Sequence, residues 1–163
     1  MKKFAAFSLI ELLIVISIIG LLLGIVTPTF RGYQAQKRLL FSQDLLETEI
    51  QKAFSLARSE PRIFGVMGSD NANTYTAFSC EYAENATCAS GTNGYQEEFL
   101  SFEPGIENLN NFFIQFIPPH GDIDSARSTL PQYDIITLQS EEGDKKAQLK
   151  INQKSGLIEK IYE

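Results

Sequence analysis

Residue types that often carry chemistry are scarce in this chain of 163 residues. It has no tryptophan, two cysteines and a single histidine, His120. One histidine with two cysteines cannot complete a tetrahedral zinc site, because such a site needs four nitrogen or sulfur ligands. His120 lies in a Pro-Pro-His-Gly turn, where a solvated residue is expected rather than a catalytic base. No phosphate-binding loop, dinucleotide fingerprint or nucleophile elbow is present. We therefore expect no catalytic residues and no cofactor.

Basic residues are also in the minority. Fourteen lysines and arginines stand against twenty aspartates and glutamates, so the net charge is −6. Proteins that bind nucleic acid without sequence preference usually need a surplus of positive charge against the phosphates. The composition therefore argues against nucleic acid as a partner.

The feature that the chain does have is a long apolar segment at its start. Lys2 and Lys3 precede a run that contains one carboxylate, Glu11, and no charge from Leu12 to Phe30. At ~1.5 Å per residue this run is roughly 28 Å long as a helix, about the thickness of a bilayer core. Because lysines stay on the cytoplasmic side, the pattern predicts a single-pass anchor with the C-terminal domain outside the cytoplasm.

Glu11 needs an explanation, since a carboxylate inside a membrane helix costs about 2.5–3.5 kcal/mol. It could extend toward the headgroups, because it lies near the start of the run. A cleaved secretory signal over 12–26 is a second alternative. The charge inside the run disfavours that alternative, and so does the absence of a small-x-small site in 27–30.

One octapeptide, residues 6–13 (Ala-Phe-Ser-Leu-Ile-Glu-Leu-Leu), resembles the processing site of type IV prepilins and type II secretion pseudopilins. The resemblance implies cleavage between Ala6 and Phe7, methylation of the new Phe7 terminus, and a subunit-assembly role for Glu11. The family usually has glycine where this chain has Ala6, and because alanine is the smallest substitute we expect cleavage to persist. Pro28 falls where the family carries a helix proline, and we expect a kink there.

The resemblance also implies the partners and the location. The partners would be a prepilin peptidase and methylase, other pilin or pseudopilin subunits, an inner-membrane assembly platform and membrane lipid. The chain would wait in the inner membrane and then enter an extracellular or periplasmic filament as a minor pilin or pseudopilin. Two alternatives stay open: a DNA-binding minor pilin of an uptake filament, which needs a basic patch, and a hydrolase held on a signal anchor, which needs a polar constellation.

The helix is predicted to continue beyond the membrane with an amphipathic pattern. Apolar residues recur there at spacings of three, four and seven: Leu39, Leu46, Ile50, Ala53 and Ala57. Gln43 and Asp44 are expected on the polar side of this helix. Pro61 is expected to end it, because the residue before a proline is pushed out of the α region. The apolar stripe must then pack against the segments beyond Pro61.

Short β segments with turn residues between them come after this proline. They are predicted at 63–67, 74–81, 95–103, 111–117, 133–140, 147–153 and 157–162. The last three read as an antiparallel meander. The fold class expected is α+β, with a long N-terminal helix on an antiparallel sheet, like the pilin fold. The parts expected are a leader (1–6), a membrane and assembly helix (7–30), its amphipathic continuation (31–60) and a β-rich domain (61–163).

Four smaller features remain. Outside the cytoplasm, Cys80 and Cys88 are expected to form a disulfide. Asp122 and Asp124 offer two oxygen ligands, too few for calcium, so turn-forming aspartates are favoured over a metal site. The turn at 116–121 resembles minor pseudopilins of the H type. A phenylalanine-rich run (Phe99, Phe102, Phe112, Phe113 and Phe116) is expected to be mostly core, with one exposed ring for a subunit contact.

Overall fold

The computed structural model describes residues 8–83, 87–125, 127–130, 135–141, 145–152 and 157–162, and within the helix it leaves the side chains of 25–29 and 31 undescribed. Along these residues one helix, α1 (Leu9–Ser59), precedes nine strands. The strands are β1 (Arg62–Gly68), β2 (Thr74–Glu81), β3 (Gln96–Ser101), β4 (Ile106–Asn108), β5 (Phe112–Ile117), β6 (Asp122–Ile123), β7 (Ile135–Ser140), β8 (Lys146–Ile151) and β9 (Ile158–Tyr162).

The chain divides after Gln34 into two compact units. The described part of the first unit is the N-terminal portion of α1. The second unit runs from Ala35 and holds the rest of α1 together with all the strands. The helix ends at Ser59, two residues before Pro61, as the restriction on residues that precede proline predicts.

The helix residues of the second unit bury the apolar stripe that the sequence predicts. Leu39, Leu46, Ile50, Ala53 and Ala57 are all buried, in one core cluster with apolar side chains of the strands. Burial of such side chains contributes about 1.5–3 kcal/mol for each large one and supplies the main stabilisation of this unit.

The prediction that Gln43 lies on the polar side of the helix is wrong. Its side chain is fully buried, and its Nε2 donates a hydrogen bond of 2.8 Å to the backbone carbonyl of Gln148 on β8. A polar side chain can occupy such a position when the neighbouring strand offers a backbone partner. The periodicity of the helix sequence cannot predict a partner on a distant strand.

The strands form two antiparallel sheets rather than one. The first has the order β3-β2-β1-β5-β6, and the second has the order β4-β7-β8-β9. Strands β7, β8 and β9 form the predicted meander, with Leu149 and Ile151 buried and Lys150 exposed. The expected α+β, pilin-like arrangement of a long N-terminal helix with antiparallel β-structure is confirmed.

Two strands were not predicted, and β3 is three residues shorter than predicted. Strands β4 and β6 have three and two residues, too few for alternation to show. The segment predicted at 95–103 forms a strand only over Gln96–Ser101. Phe102 leaves the strand and turns into the core, where its ring lies 4.9 Å from that of Tyr75.

Candidate assembly helix and the surfaces of the β domain

Glu11 lies in the first turn of α1, and Ser8 caps this turn. The backbone N–H groups of Glu11 and Leu12 donate to the carbonyl of Ser8 at 3.0 and 3.2 Å, and the N–H of Ile10 donates to its hydroxyl at 3.4 Å. Serine is a preferred residue at this position because it satisfies helix N–H groups that lack partners. A carboxylate in the first turn also interacts favourably with the positive end of the helix dipole.

The apolar side chains around Glu11 are exposed in the isolated chain. Every large hydrophobic residue from Leu9 to Leu23 has between 44% and 80% of its surface accessible. A helix that is apolar on all sides and uncovered needs an apolar environment or other helices around it. Separately, among the described residues no helix has both the length and the hydropathy that a bilayer span requires.

The structure does not test the other residues of the predicted N-terminal site. Ala6 and Phe7 fall outside the described residues. Pro28 lies within the bounds of α1, but its side chain is not described, so the kink stays a prediction.

Cys80 and Cys88 form the predicted disulfide, with their Cα atoms 5.8 Å apart. Both residues are buried with Ile63 and Phe78 in a second, smaller core cluster. The bridge therefore ties the segment after β2 to the face of the first sheet that points away from α1.

Asp122 and Asp124 do not share a site. Asp122 is exposed on β6, whereas Asp124 is buried and forms an ion pair with Arg127 at 2.6 Å. A second donor, Nε2 of Gln115, lies 3.0 Å from the same Asp124 oxygen. Over the described residues, no group of three histidine, cysteine or acidic side chains could hold a metal ion.

Gln115 is a buried polar residue that the sequence reasoning missed. Its Oε1 also accepts a hydrogen bond of 3.3 Å from the backbone N–H of Cys88. One side chain thus connects the disulfide loop to the turn after β6. Residue 115 alternates with Ile114 and Phe116 of the main core, so its side chain lies on the opposite face of β5, with Phe113 and the disulfide cluster. Its two partners come from other segments, which alternation along one strand does not reveal.

The C-terminal strand does not present a free basic patch. Lys160 on β9 contacts two carboxylates of α1, Asp44 at 2.7 Å and Glu47 at 2.5 Å. The hydrogen bonds to Asp44 and then Glu47 raise the pKa of Lys160 above its usual range. This cation is therefore used to hold β9 to the helix, which does not favour the DNA-binding alternative.

Most rings of the phenylalanine-rich run are buried or half-buried and one is exposed, as expected. Phe102, Phe112 and Phe116 are buried, Phe113 is half-buried, and Phe99 on β3 has 71% of its surface exposed. His120 is exposed in the turn between β5 and β6, which is the turn that resembles H-type pseudopilins.

Comparison with known families gives one match. Residues 1–27 match the family described as the prokaryotic N-terminal methylation motif. The chain therefore carries the N-terminal signature of type IV pilins and pseudopilins, a class of structural subunits whose precursors are processed at this motif. The chain has no match among curated proteins or among solved structures.

Proposed function

We propose that this chain is a minor pilin or pseudopilin, a structural subunit of a type IV pilus-like or type II secretion filament. A prepilin peptidase cuts between Ala6 and Phe7, and a methylase modifies the new terminus. One observation carries the proposal: the methylation motif spans residues 1–27 and includes Glu11, within a helix whose apolar side chains are exposed.

Assembly follows from the chemistry of the helix start. After cleavage Phe7 carries a terminal ammonium, which is as costly in lipid as the carboxylate of Glu11. When helices of successive subunits pack with an axial shift, the ammonium of one and the Glu11 of another neutralise each other. Low dielectric strengthens the attraction, and pairing removes two uncompensated charges. Glu11 therefore sets the register between subunits.

The remaining parts have separate roles in this proposal. The leader (1–6) directs processing and is lost. The helix at 7–30 anchors the precursor in the inner membrane until an assembly platform extracts it, and neighbouring helices then replace lipid around it. The amphipathic continuation (31–60) carries the β-rich domain (61–163), which lies outside the cytoplasm, coats the filament and determines its partners.

Replacement of Glu11 tests the proposal. Glu11→Ala should leave synthesis, membrane insertion and leader cleavage unchanged but abolish incorporation into filaments. Glu60→Ala is the matched control, because Glu60 is an exposed glutamate just beyond the other end of α1. Immunoblots of sheared filaments and of membranes measure both steps. Normal incorporation of the Glu11 variant would remove the proposed role of this residue.

A further inference from the structure

Strand β3 has an open edge. It is the terminal strand of its sheet, and along the described ranges no strand pairs with its outer side. Its residues from Gln96 to Phe99 are exposed. The free N–H and C=O groups of such an edge can pair with an extended segment from another protein.

A groove lies beside this edge, between β3 and α1. It has a volume of about 250 Å³. Ala77 pairs with Glu98 and Ser79 pairs with Gln96, so these four side chains share the face of the sheet that carries Tyr75 into the core. The helix covers β1 and β2 on this face, and Leu100 of β3 packs against the same core, but Gln96 and Glu98 are exposed.

The walls of the groove are apolar at depth and acidic at the rim. Ala53 and Leu56 of α1 and Phe64 of β1 supply the apolar walls. The rim on this face carries Glu49 and Glu98 against one cation, Lys52, whose Nζ lies 3.1 Å from Glu49. This leaves a surplus of negative charge at the mouth.

The raised pKa of Tyr75 indicates that these two carboxylates, Glu49 and Glu98, lie near the same side chain. Burial, then the charges of Glu49 and Glu98, raise the pKa of Tyr75 to about 12. Glu49 comes from α1 and Glu98 from β3, so both sides of the groove direct negative charge toward the same region.

We infer that β3 and this groove form a docking site for an extended basic segment of a partner protein. The backbone of the segment pairs with the outer edge of β3, and an arginine or lysine side chain reaches the groove. Its aliphatic stem crosses β3 beside Glu98, and its cation lies at the rim of the groove, between Glu98 and Glu49. The inference concerns only the second unit, from Ala35 onward, and does not depend on filament assembly.

The charge of the edge argues for a basic partner over a second copy of β3. Two copies paired antiparallel about an axis between Glu97 and Glu98 would bring Glu97 of each chain opposite Glu98 of the other. Like charges directly opposite one another destabilise a strand pair. A basic segment makes attractive pairs at the same positions.

Three kinds of short fluorescent peptide, measured by anisotropy with the full-length chain in detergent micelles, test the inference. The parent peptide alternates threonine and valine around a central arginine. The second replaces the arginine with neutral citrulline, and the third kind consists of two peptides, N-methylated at one or the other set of alternate amides. We expect the parent to bind, and citrulline to weaken binding by about fivefold, the contribution of one partly exposed ion pair. Only one of the two methylated peptides should lose binding, because alternate amides face the edge.

A substitution in the protein gives the complementary test. Glu98→Gln should weaken binding of the arginine peptide and leave binding of the citrulline peptide unaffected. Glu159→Gln is the matched control, since Glu159 is an exposed glutamate on the edge strand β9 of the other sheet. Failure of the parent peptide to bind, equal affinity for arginine and citrulline, equal behaviour of the two methylated peptides, or equal effects of the two substitutions would each overturn the inference.

Discussion

The side-chain amide of Gln115 donates a hydrogen bond of 3.0 Å to the carboxylate of Asp124, and both side chains are buried. The same amide group accepts from the backbone N–H of Cys88. Gln115 therefore joins three segments of the chain: β5, the disulfide loop and the turn after β6. A buried polar connection of this kind stabilises only when its members are paired, because unpaired buried polar groups are costly.

Replacement of Gln115 should be strongly destabilising. Gln115→Leu leaves the Cys88 N–H without its acceptor and removes one donor from Asp124, so we expect a loss of about 3 kcal/mol in the free energy of unfolding. Gln139→Leu, at a half-buried position on β7, should change it by less than about 0.5 kcal/mol. Urea denaturation measures both, and equal effects would show that Gln115 is not a structural connection.

The disulfide should stabilise the domain by restricting a short loop. Cys80 and Cys88 are separated by eight positions. The chain-entropy estimate for a loop of this size is about 2–3 kcal/mol, and we expect the Cys80→Ala, Cys88→Ala double variant to lose that amount. A reducing agent should lower the thermal midpoint of the natural protein and leave that of the double variant unchanged. A double variant as stable as the natural protein would contradict this role.

Gly121 should tolerate no side chain. Its φ is +74°, and a Cβ there would lie 3.0 Å from the carbonyl oxygen of Phe54 and 2.9 Å from Cγ of Arg58. Gly121→Ala should therefore lose about 2 kcal/mol or more, from conformational strain and from the contact with α1. Gly91→Ala is the control, because Gly91 has φ +97° but open space around it, and it should lose only about 1 kcal/mol. Thermal or urea unfolding compares the two, and a smaller loss at Gly121 would contradict the packing of this turn on the helix.

Lys160 should contribute pH-dependent stability. Its pKa is raised in the folded chain, first by the hydrogen bond to Asp44 and then by that to Glu47. A group with a raised folded pKa contributes its full stabilisation below its unfolded pKa, about 10.4, and loses it as the pH rises through the folded value. Lys160→Met should cost about 1 kcal/mol at pH 7, since the ion pairs are partly exposed.

The stability difference between natural protein and Lys160→Met should stay constant up to about pH 10 and shrink above it. Urea denaturation of both proteins across this range measures the difference. Lys150→Met is the control, because Lys150 lies 4.0 Å from an exposed glutamate, Glu159, and should change little. A difference that grows with alkaline pH would contradict the assigned ion pairs.

The sequence could predict those features that one segment determines by itself. The stripe from Leu39 to Ala57 specifies which side of the helix is buried, Pro61 ends the helix, and alternation around Leu149 identifies an inner face. The methylation motif is likewise a local pattern, and the family match confirms it.

Features that depend on how distant segments meet could not be predicted. Gln43 is buried because β8 offers it a carbonyl, and Asp124 receives a hydrogen bond from Gln115 because the register of β5 with β6 brings the two residues together. The groove beside β3 exists because the sheet extends beyond the cover of the helix. The spacing of residues along one helix or strand does not predict any of these contacts.

The N-terminus of the protein as it occurs in cells tests the central claim most directly. Intact-mass and N-terminal peptide mass spectrometry of protein purified from sheared filaments should show a chain that lacks residues 1–6 and begins with N-methylated Phe7. A chain that retains Met1 through Ala6 would contradict the account, because the ammonium that Glu11 is proposed to neutralise would then not exist.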